Sequence, residues 1–343
     1  MGAKPTIYCS PLWSEYDDMA LRLYEFALEQ PCLLPDVDID PSLLKYSGLD
    51  SNAMLRSYSN ELIDKVPGYV DRLGSGLGSM TSFPNAVGLG ALVLSIIMEL
   101  FMKSSTGAAD DSANLFRRVF AEEKASGVRD TMSEYVKRHE MHMKDQRLLQ
   151  MEIQRLETQL SNHLTVLKNS LLHDGQMGSR GFKIWVNGAS FHLQMLIHEA
   201  RLNSQTCIRA TDSVHIIGAT INAYSRDLDH MLKAYRAHLT STTRIHFNLN
   251  CLGYGCYEHL TTCYIENNVK NCNRHEKNFN PRSYCYSPCV MEPFMNNVFS
   301  KYEGLKSHFV NIKDNLNLHI NQHDSLTLAS ARKVPGIRSR LYG

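Results

Sequence analysis

Apolar residues recur three and four positions apart along most of the chain, the spacing that stacks side chains on one face of an α-helix. Leu12, Tyr16, Met19, Leu23 and Phe26 set a first helix over residues 12–30. Pro31, Pro35 and Pro41 then break the pattern, alongside Asp36, Asp38 and Asp40. The alternating aspartates do not make a calcium loop, because Pro41 stands where the sharp turn needs glycine and Ser47 where the bidentate acid belongs. A second helix is predicted over residues 52–65, ending before Pro67 and Gly68. Further on, Val128, Met132, Tyr135, His139, His142, Gln146, Leu149, Ile153, Leu156, Leu160 and Leu167 alternate by threes and fours. They predict one heptad-like helix over residues 128–171, roughly 65 Å long. Its seam is polar in the middle, at His139, His142 and Gln146, and again at His163.

A turn at Asp174, Gly175 and Gly178 precedes a helix over residues 182–202, with Trp185, Ala189, Leu193, Leu196 and Ala200 on one face. Another follows over residues 208–239, carrying Val214, Ile217, Ile221, Tyr224, Leu228, Met231 and Tyr235. A last helix repeats the spacing through Val298, Tyr302, Leu305, Phe309, Ile312, Leu316 and Ile320. The final stretch, residues 331–343, carries Arg332, Lys333, Arg338 and Arg340 without an acid and reads as a loose basic tail.

Residues 74–102 depart from this amphipathic pattern. They open with Gly74, Gly76 and Gly78, continue through Gly88 and Gly90, and end in an apolar run over residues 86–102 broken only by Ser95 and Glu99. That run of 17 residues sits at the lower limit for a span, since a bilayer core needs roughly 20. Gly74 with Gly78, and Ala86 with Gly90, have the small-xxx-small spacing that lets helices approach closely. Gly74, Gly78, Gly88, Gly90, Leu92, Leu94, Ile96 and Ile97 are therefore the candidate membrane segment. The other reading is a buried central hairpin of a helical bundle.

Cysteine placement changes the picture more than overall composition does. Cys9, Cys32 and Cys207 are scattered, whereas Cys251, Cys256, Cys263, Cys272, Cys285 and Cys289 fall within 39 residues. Six cysteines in a short stretch, here with a β-like run at residues 260–265, point to a disulfide framework with fifteen conceivable connectivities. Zinc is the competing reading, because Cys256-x2-His259-x3-Cys263 and Cys272-x2-His275 have usable spacings. A framework needs an oxidising compartment, which favours an extracellular location. Yet MGAKPTIYCS has no apolar core with a cleavage site, which keeps the cytoplasm as the alternative. The same start fits the loose N-myristoylation pattern at Gly2, with Cys9 available for a second acyl group.

The 343 residues are 43% hydrophobic and 21% charged, with a net charge of +1. These are globular values and supply no electrostatic argument for nucleic acid. No nucleophile elbow, phosphate loop or G-x-G-x-x-G occurs. His139-Glu140-Met141-His142 falls one residue short of the zinc-protease motif. The paired acids Asp110-Asp111 and Glu122-Glu123 read as solvated helix faces. The expectation is a non-enzyme without cofactor or metal, whose partners are a lipid membrane, another protein or a second copy of itself.

The order of a glycine-rich apolar segment, a long heptad helix and the stretch KIWVNGASFHLQMLIHEAR, from Lys183 to Arg201, resembles the metazoan cephalotoxin-like group, which includes the rapunzel-type proteins. The resemblance covers residues 60–325 in organisation, and it implies an animal protein related to secreted toxins with no catalytic residues to carry over. The chain shows neither the signal peptide nor the accessory modules of such a toxin.

The fold expected is mainly α. Residues 1–50 form a helix and Pro/Asp-rich linker, 51–245 a bundle of long amphipathic helices around the apolar hairpin 74–102, and 246–293 a partly β six-cysteine insert. Residues 294–325 form a C-terminal helix, and 326–343 the tail. The function expected is toxin-like and pore-forming in type, the alternative being an interaction module without membrane activity.

Overall fold

The structure, a computed structural model, describes residues 13–30, 32–106, 115–120, 126–204, 210–252, 255–267, 272–278 and 287–328. It is mainly helical. The first part of the chain forms α1 (Trp13–Leu28), α2 (Pro41–Ser47), α3 (Ser51–Lys65), α4 (Tyr69–Gly76), the short β1 (Ser82–Phe83), α5 (Leu89–Thr106) and α6 (Leu115–Phe120). Next come α7 (Gly127–His142), α8 (Gln146–Leu172), α9 (Ser179–Ser204) and α10 (Ala210–Thr242). Strands β2 (Thr243–Leu252), β3 (Gly255–Asn267) and β4 (Cys272–Asn278) follow. The chain continues with α11 (Ser287–Ser300), α12 (Glu303–Asp314), α13 (Leu316–Ile320) and β5 (Leu326–Thr327).

The elements group into two compact units. Unit 1 takes Met1–Asp38, Val166–Val186 and Tyr224–Phe309, and unit 2 takes Ile39–Thr165, Asn187–Ala223 and Val310–Gly343. In unit 1, α1 packs along α11. The apolar face read from the sequence is the one that α1 buries, through Tyr16, Met19, Ala20, Leu23 and Ala27. An aromatic cluster gathers round Tyr235 of α10, with Phe182 at 5.1 Å, Phe299 at 6.0 Å and Tyr302 at 6.1 Å between ring centroids. Strand β2 continues directly from α10 and joins an antiparallel sheet in the order β2-β3-β4. Ile245 and Ile265, register partners across β2 and β3, are both buried.

In unit 2, α5 packs against α2, α3, α4 and α7, and every residue from 85 to 98 is buried. The loop before α5 is held by β1, which pairs with β5 so that Ser82 faces Thr327 and Phe83 faces Leu326. Beside this short ladder the Ala86 N–H donates to Asp324 O at 3.0 Å, and the Leu328 N–H to Thr81 O at 2.8 Å.

Three expected boundaries are corrected. The single helix over 128–171 is two, because Asp145 accepts the Leu148 N–H at 3.0 Å and so caps a fresh start at α8. The last helix is also interrupted, at residues 301–302 and at Asn315. Its periodic residues Val298, Tyr302, Leu305, Phe309, Ile312, Leu316 and Ile320 are nevertheless all buried. Pro41, read as a breaker, begins α2 instead. It occupies the first turn, where proline has no hydrogen bond to lose, and Asp40 caps it by accepting the Ser42 N–H at 2.8 Å.

Two glycines separate packing from propensity. A β-carbon on Gly90 of α5 would overlap the Asn85 carbonyl oxygen, whereas one on Gly218 of α10 would meet nothing within 4 Å. Gly218→Ala should therefore stabilise the protein by about 0.5–1 kcal/mol, and Gly90→Ala should destabilise it by about 1–3 kcal/mol. Urea unfolding midpoints measured side by side should move in opposite directions.

Candidate functional site

The segment that stood out in the sequence leads to the site. Its glycines serve turns more than helix packing. Gly78 adopts φ +65° just past the end of α4, with its carbonyl accepting Lys144 Nζ at 2.8 Å. This is the left-handed stop that ends helices, so Gly78 makes no small-xxx-small contact with Gly74, which stays inside α4. Gly88, at φ +50°, lies in the turn into α5 and donates its N–H to Ser51 Oγ at 2.8 Å. Only beyond it, from Leu89 on, is the apolar run helical. Gly90, Leu92, Leu94, Ile96 and Ile97 are all buried there.

Gly90 leaves room for a histidine. A β-carbon there would sit 3.3 Å from Cε1 of His198, which projects from α9 and is fully buried. The His139 ring of α7 lies 5.3 Å from His198, edge to face, and Nδ1 of His139 is 3.2 Å from the Tyr135 hydroxyl. One turn beyond His198, Arg201 is fully buried as well. Its Nε and Nη2 donate to the His319 carbonyl at 3.2 and 2.9 Å, and Nη1 donates to the Val87 carbonyl at 3.3 Å. His319 of α13 is itself buried.

This is a polar group of unusual composition. Burial holds the His139 imidazole down to about 4, with no other cause acting on it. Burial also pushes His198 well below the ordinary histidine range, aided by His139 and Arg201. His319 is brought to about 4 by burial and then by Arg201, and His323 is lowered by the same two causes. Arg201 is lowered by burial to about 10 and remains cationic at neutral pH. Among the described residues, no carboxylate is a cause of any of these shifts. Both ring nitrogens of His198 and Nε2 of Gln194 are buried without a hydrogen-bond partner among the described residues. His192 of the same helix differs, with Nε2 2.9 Å from Glu157 Oε1.

Unit 2 also carries an open pocket of about 370 Å³, lined by Pro41, Ser42, Lys45, Tyr46, Tyr58, Ser95, Glu99 and Arg118. Arg118 is fixed there by a two-point ion pair with the buried Asp40, at 2.6 and 2.7 Å, and by Ser42 Oγ at 2.5 Å.

The remaining candidates are more dispersed. His142 is half-buried in the last turn of α7. Cys251 and Cys256 are register partners across β2 and β3, Cys263 faces Phe247 and Lys277, and Cys272 faces Asn267. The side chains of these four cysteines, all of Cys285, and the lipidation candidates Gly2 and Cys9 lie outside the described residues. Cys289 is disulfide-bonded, and so is Cys32, which sequence spacing left outside the cluster. Among the described residues, no group of three or more His, Cys, Asp or Glu could hold a metal ion.

Spacing alone pointed to His139 but missed its companions. Gln194, His198 and Arg201 are spaced by four and three on one face of α9, a polar stripe in a helix buried almost throughout, and that was the legible signal. Residues of the pocket come from α2, α3, α5 and α6, and no local pattern links them. No protein-family model, curated protein or solved structure matches the chain.

A pH dependence follows. Histidines with lowered native values bind protons more readily once unfolded, so their contribution is complete above pH 6.5 and is lost as pH falls towards 4. For His139 alone the loss between pH 7.5 and 5 is about 2 kcal/mol. Urea denaturation across that range should show stability falling on acidification, with a smaller fall in His139→Phe. A stability independent of pH over this interval would contradict the assignment.

Proposed function

We propose that this is a non-enzymatic, toxin-like helical protein that acts on membranes, with mild acid as the signal that frees its apolar helix. The observation carrying this reading is the packing of α5 against His198 and Arg201, a contact whose other members are neutral buried histidines. Protonation places further positive charge beside an arginine that no acid among the described residues offsets, and burying unpaired charge is costly. The group gives way, and the helix that it holds is the most apolar of the long helices among the described residues. The likeness to the cephalotoxin-like group, which implies kinship with secreted toxins and no catalytic residues, supports the toxin-like part of this reading.

Among the described residues no helix is long and apolar enough to cross a membrane. The released α5 is therefore proposed to lie in the interface between headgroups and acyl chains rather than to span alone. A pore-forming action would then need several copies. The alternative, an interaction module without membrane activity, draws support from Met141, Leu148 and Met151, large apolar side chains exposed near the α7–α8 junction.

Dye release from liposomes tests the choice. Release should be negligible at pH 7.5, rise towards pH 5, and begin at lower pH in His139→Phe. If the protein neither binds nor permeabilises liposomes anywhere in this range, the interaction module stands instead. We further propose that the six cysteines of the insert form a disulfide framework in an oxidising, extracellular setting. Mass spectrometry with and without reduction should then find no free thiol among Cys251, Cys256, Cys263, Cys272, Cys285 and Cys289; free thiols there would place the chain in a reducing compartment.

A further inference from the structure

The pocket beside α5 contains two aromatic faces that converge on one cation position. Nζ of Lys45 lies 5.4 Å from the Tyr46 ring centroid and 5.8 Å from that of Tyr58, within the range in which an ammonium is attracted by the ring quadrupole. The two phenols also share the field of Glu99. Burial raises Tyr46, and Glu99 adds to the rise; burial and then Glu99 push Tyr58 up to about 12. Both rings thus stay neutral at any physiological pH, with their π-faces intact. On another side stands Arg118, oriented by Asp40 through Nε and Nη2, and among the described residues its Nη1 donors are left for an anion.

We propose that this pocket binds a small zwitterion, with its alkylammonium group between Tyr46 and Tyr58 near Glu99 and its acidic group met by Lys45 and Arg118. The phosphocholine group has this chemistry. Its quaternary ammonium suits aromatic faces, and its phosphate suits a guanidinium and an ammonium. A simple anion would have to tolerate Glu99, and a simple cation would have to tolerate Arg118, whereas a zwitterion satisfies both walls. Lys45 acts as the resident occupant. It is exposed and mounted on a flexible stem, so it can leave the rings to the incoming cation and turn to the ligand's acid. The volume of about 370 Å³ lies near the lower end of the range for small-molecule sites. The proposal stands on the pocket alone and does not depend on acid release.

Calorimetric titration of the full chain at pH 7.5 tests it, with phosphocholine, choline and inorganic phosphate as separate probes. Phosphocholine should bind at least about tenfold more tightly than either half. Tyr58→Leu should weaken phosphocholine about tenfold while Tyr58→Phe keeps most of the affinity, with circular dichroism confirming that both variants are folded. Lys45→Ala distinguishes recognition from mere structural support, because it removes an internal competitor for the cation and a partner for the anion. Choline should bind more tightly to that variant and phosphate more weakly; a change in the same direction for both would overturn the proposal. So would the absence of saturable phosphocholine binding up to about 10 mM, or an affinity unchanged in Tyr58→Leu. Competition by neutral phosphatidylcholine vesicles identifies a lipid headgroup as the natural source, and lack of competition identifies a free solute. Phosphocholine binding that survives in His139→Phe keeps this site separate from the acid response.

Discussion

A buried guanidinium that no acid among the described residues pairs is the constraint around which unit 2 is arranged. Arg201 can remain charged in the interior because it donates hydrogen bonds to backbone carbonyls, those of His319 near the end of α13 and Val87 just before α5. The His319 carbonyl, in the last turn of α13, is one that the helix itself does not satisfy, whereas the Val87 carbonyl also accepts the Gly90 N–H at 3.0 Å. One side chain of α9 therefore fixes the entrance of α5 and the exit of α13 at once. Gly88 and Gly90 are the counterpart of this arrangement. A β-carbon on the first would come 3.2 Å from Arg201 Nη2, and one on the second 3.3 Å from the His198 ring.

The same arrangement limits stability. An apolar core of similar volume would avoid the desolvation of Arg201 and the unpartnered nitrogens of His198. Unit 2 instead keeps polar groups whose charge state responds to the surroundings and places them against its most apolar helix. Elsewhere in the unit, the Tyr69 hydroxyl and Gln322 Oε1 are also buried without a hydrogen-bond partner among the described residues, whereas the group around Asp40 is paired. Asn187 Oδ1 accepts the Asp40 N–H at 2.7 Å, and Asp40 in turn holds Arg118. What sets the histidine group apart is that it gathers several titratable side chains against one helix.

The helices were legible because burial in this chain follows the 3.6-residue period. α1, α3, α9 and α10 stand close to their expected limits, and the last periodic face is buried residue by residue. Breaks were less legible. Asp145 interrupts a seam whose apolar spacing carries on through it, because a cap is a local hydrogen bond that periodicity does not register. Pro41 was misread for a related reason, as a proline ends a helix or begins one according to whether a cap such as Asp40 precedes it. The glycines of residues 74–90 looked like a helix-packing motif, but backbone conformation assigns Gly78 and Gly88 to turns. Of the two candidate sites, the histidine group was half visible, since His139 lies on a seam and His198 within the stretch that carried the family resemblance. The pocket was invisible, because Lys45, Tyr58, Glu99 and Arg118 are far apart in sequence and are brought together only by tertiary packing.

The pairing of β1 with β5 has a consequence for how the protein is made. Phe83 and Leu326 are 243 positions apart, and the ladder that they form anchors the loop leading into α5. During synthesis α5 leaves the ribosome long before α13, with the carbonyl for Arg201, and β5, with the partner for β1. Until they emerge, the most apolar of the long described helices lacks part of its native cover, and transiently exposed surface of this kind is prone to aggregation. A nascent chain of this design has to shield that helix by another route, through a chaperone or through early contacts of α5 with α2, α3 and α4, until α13 and β5 arrive.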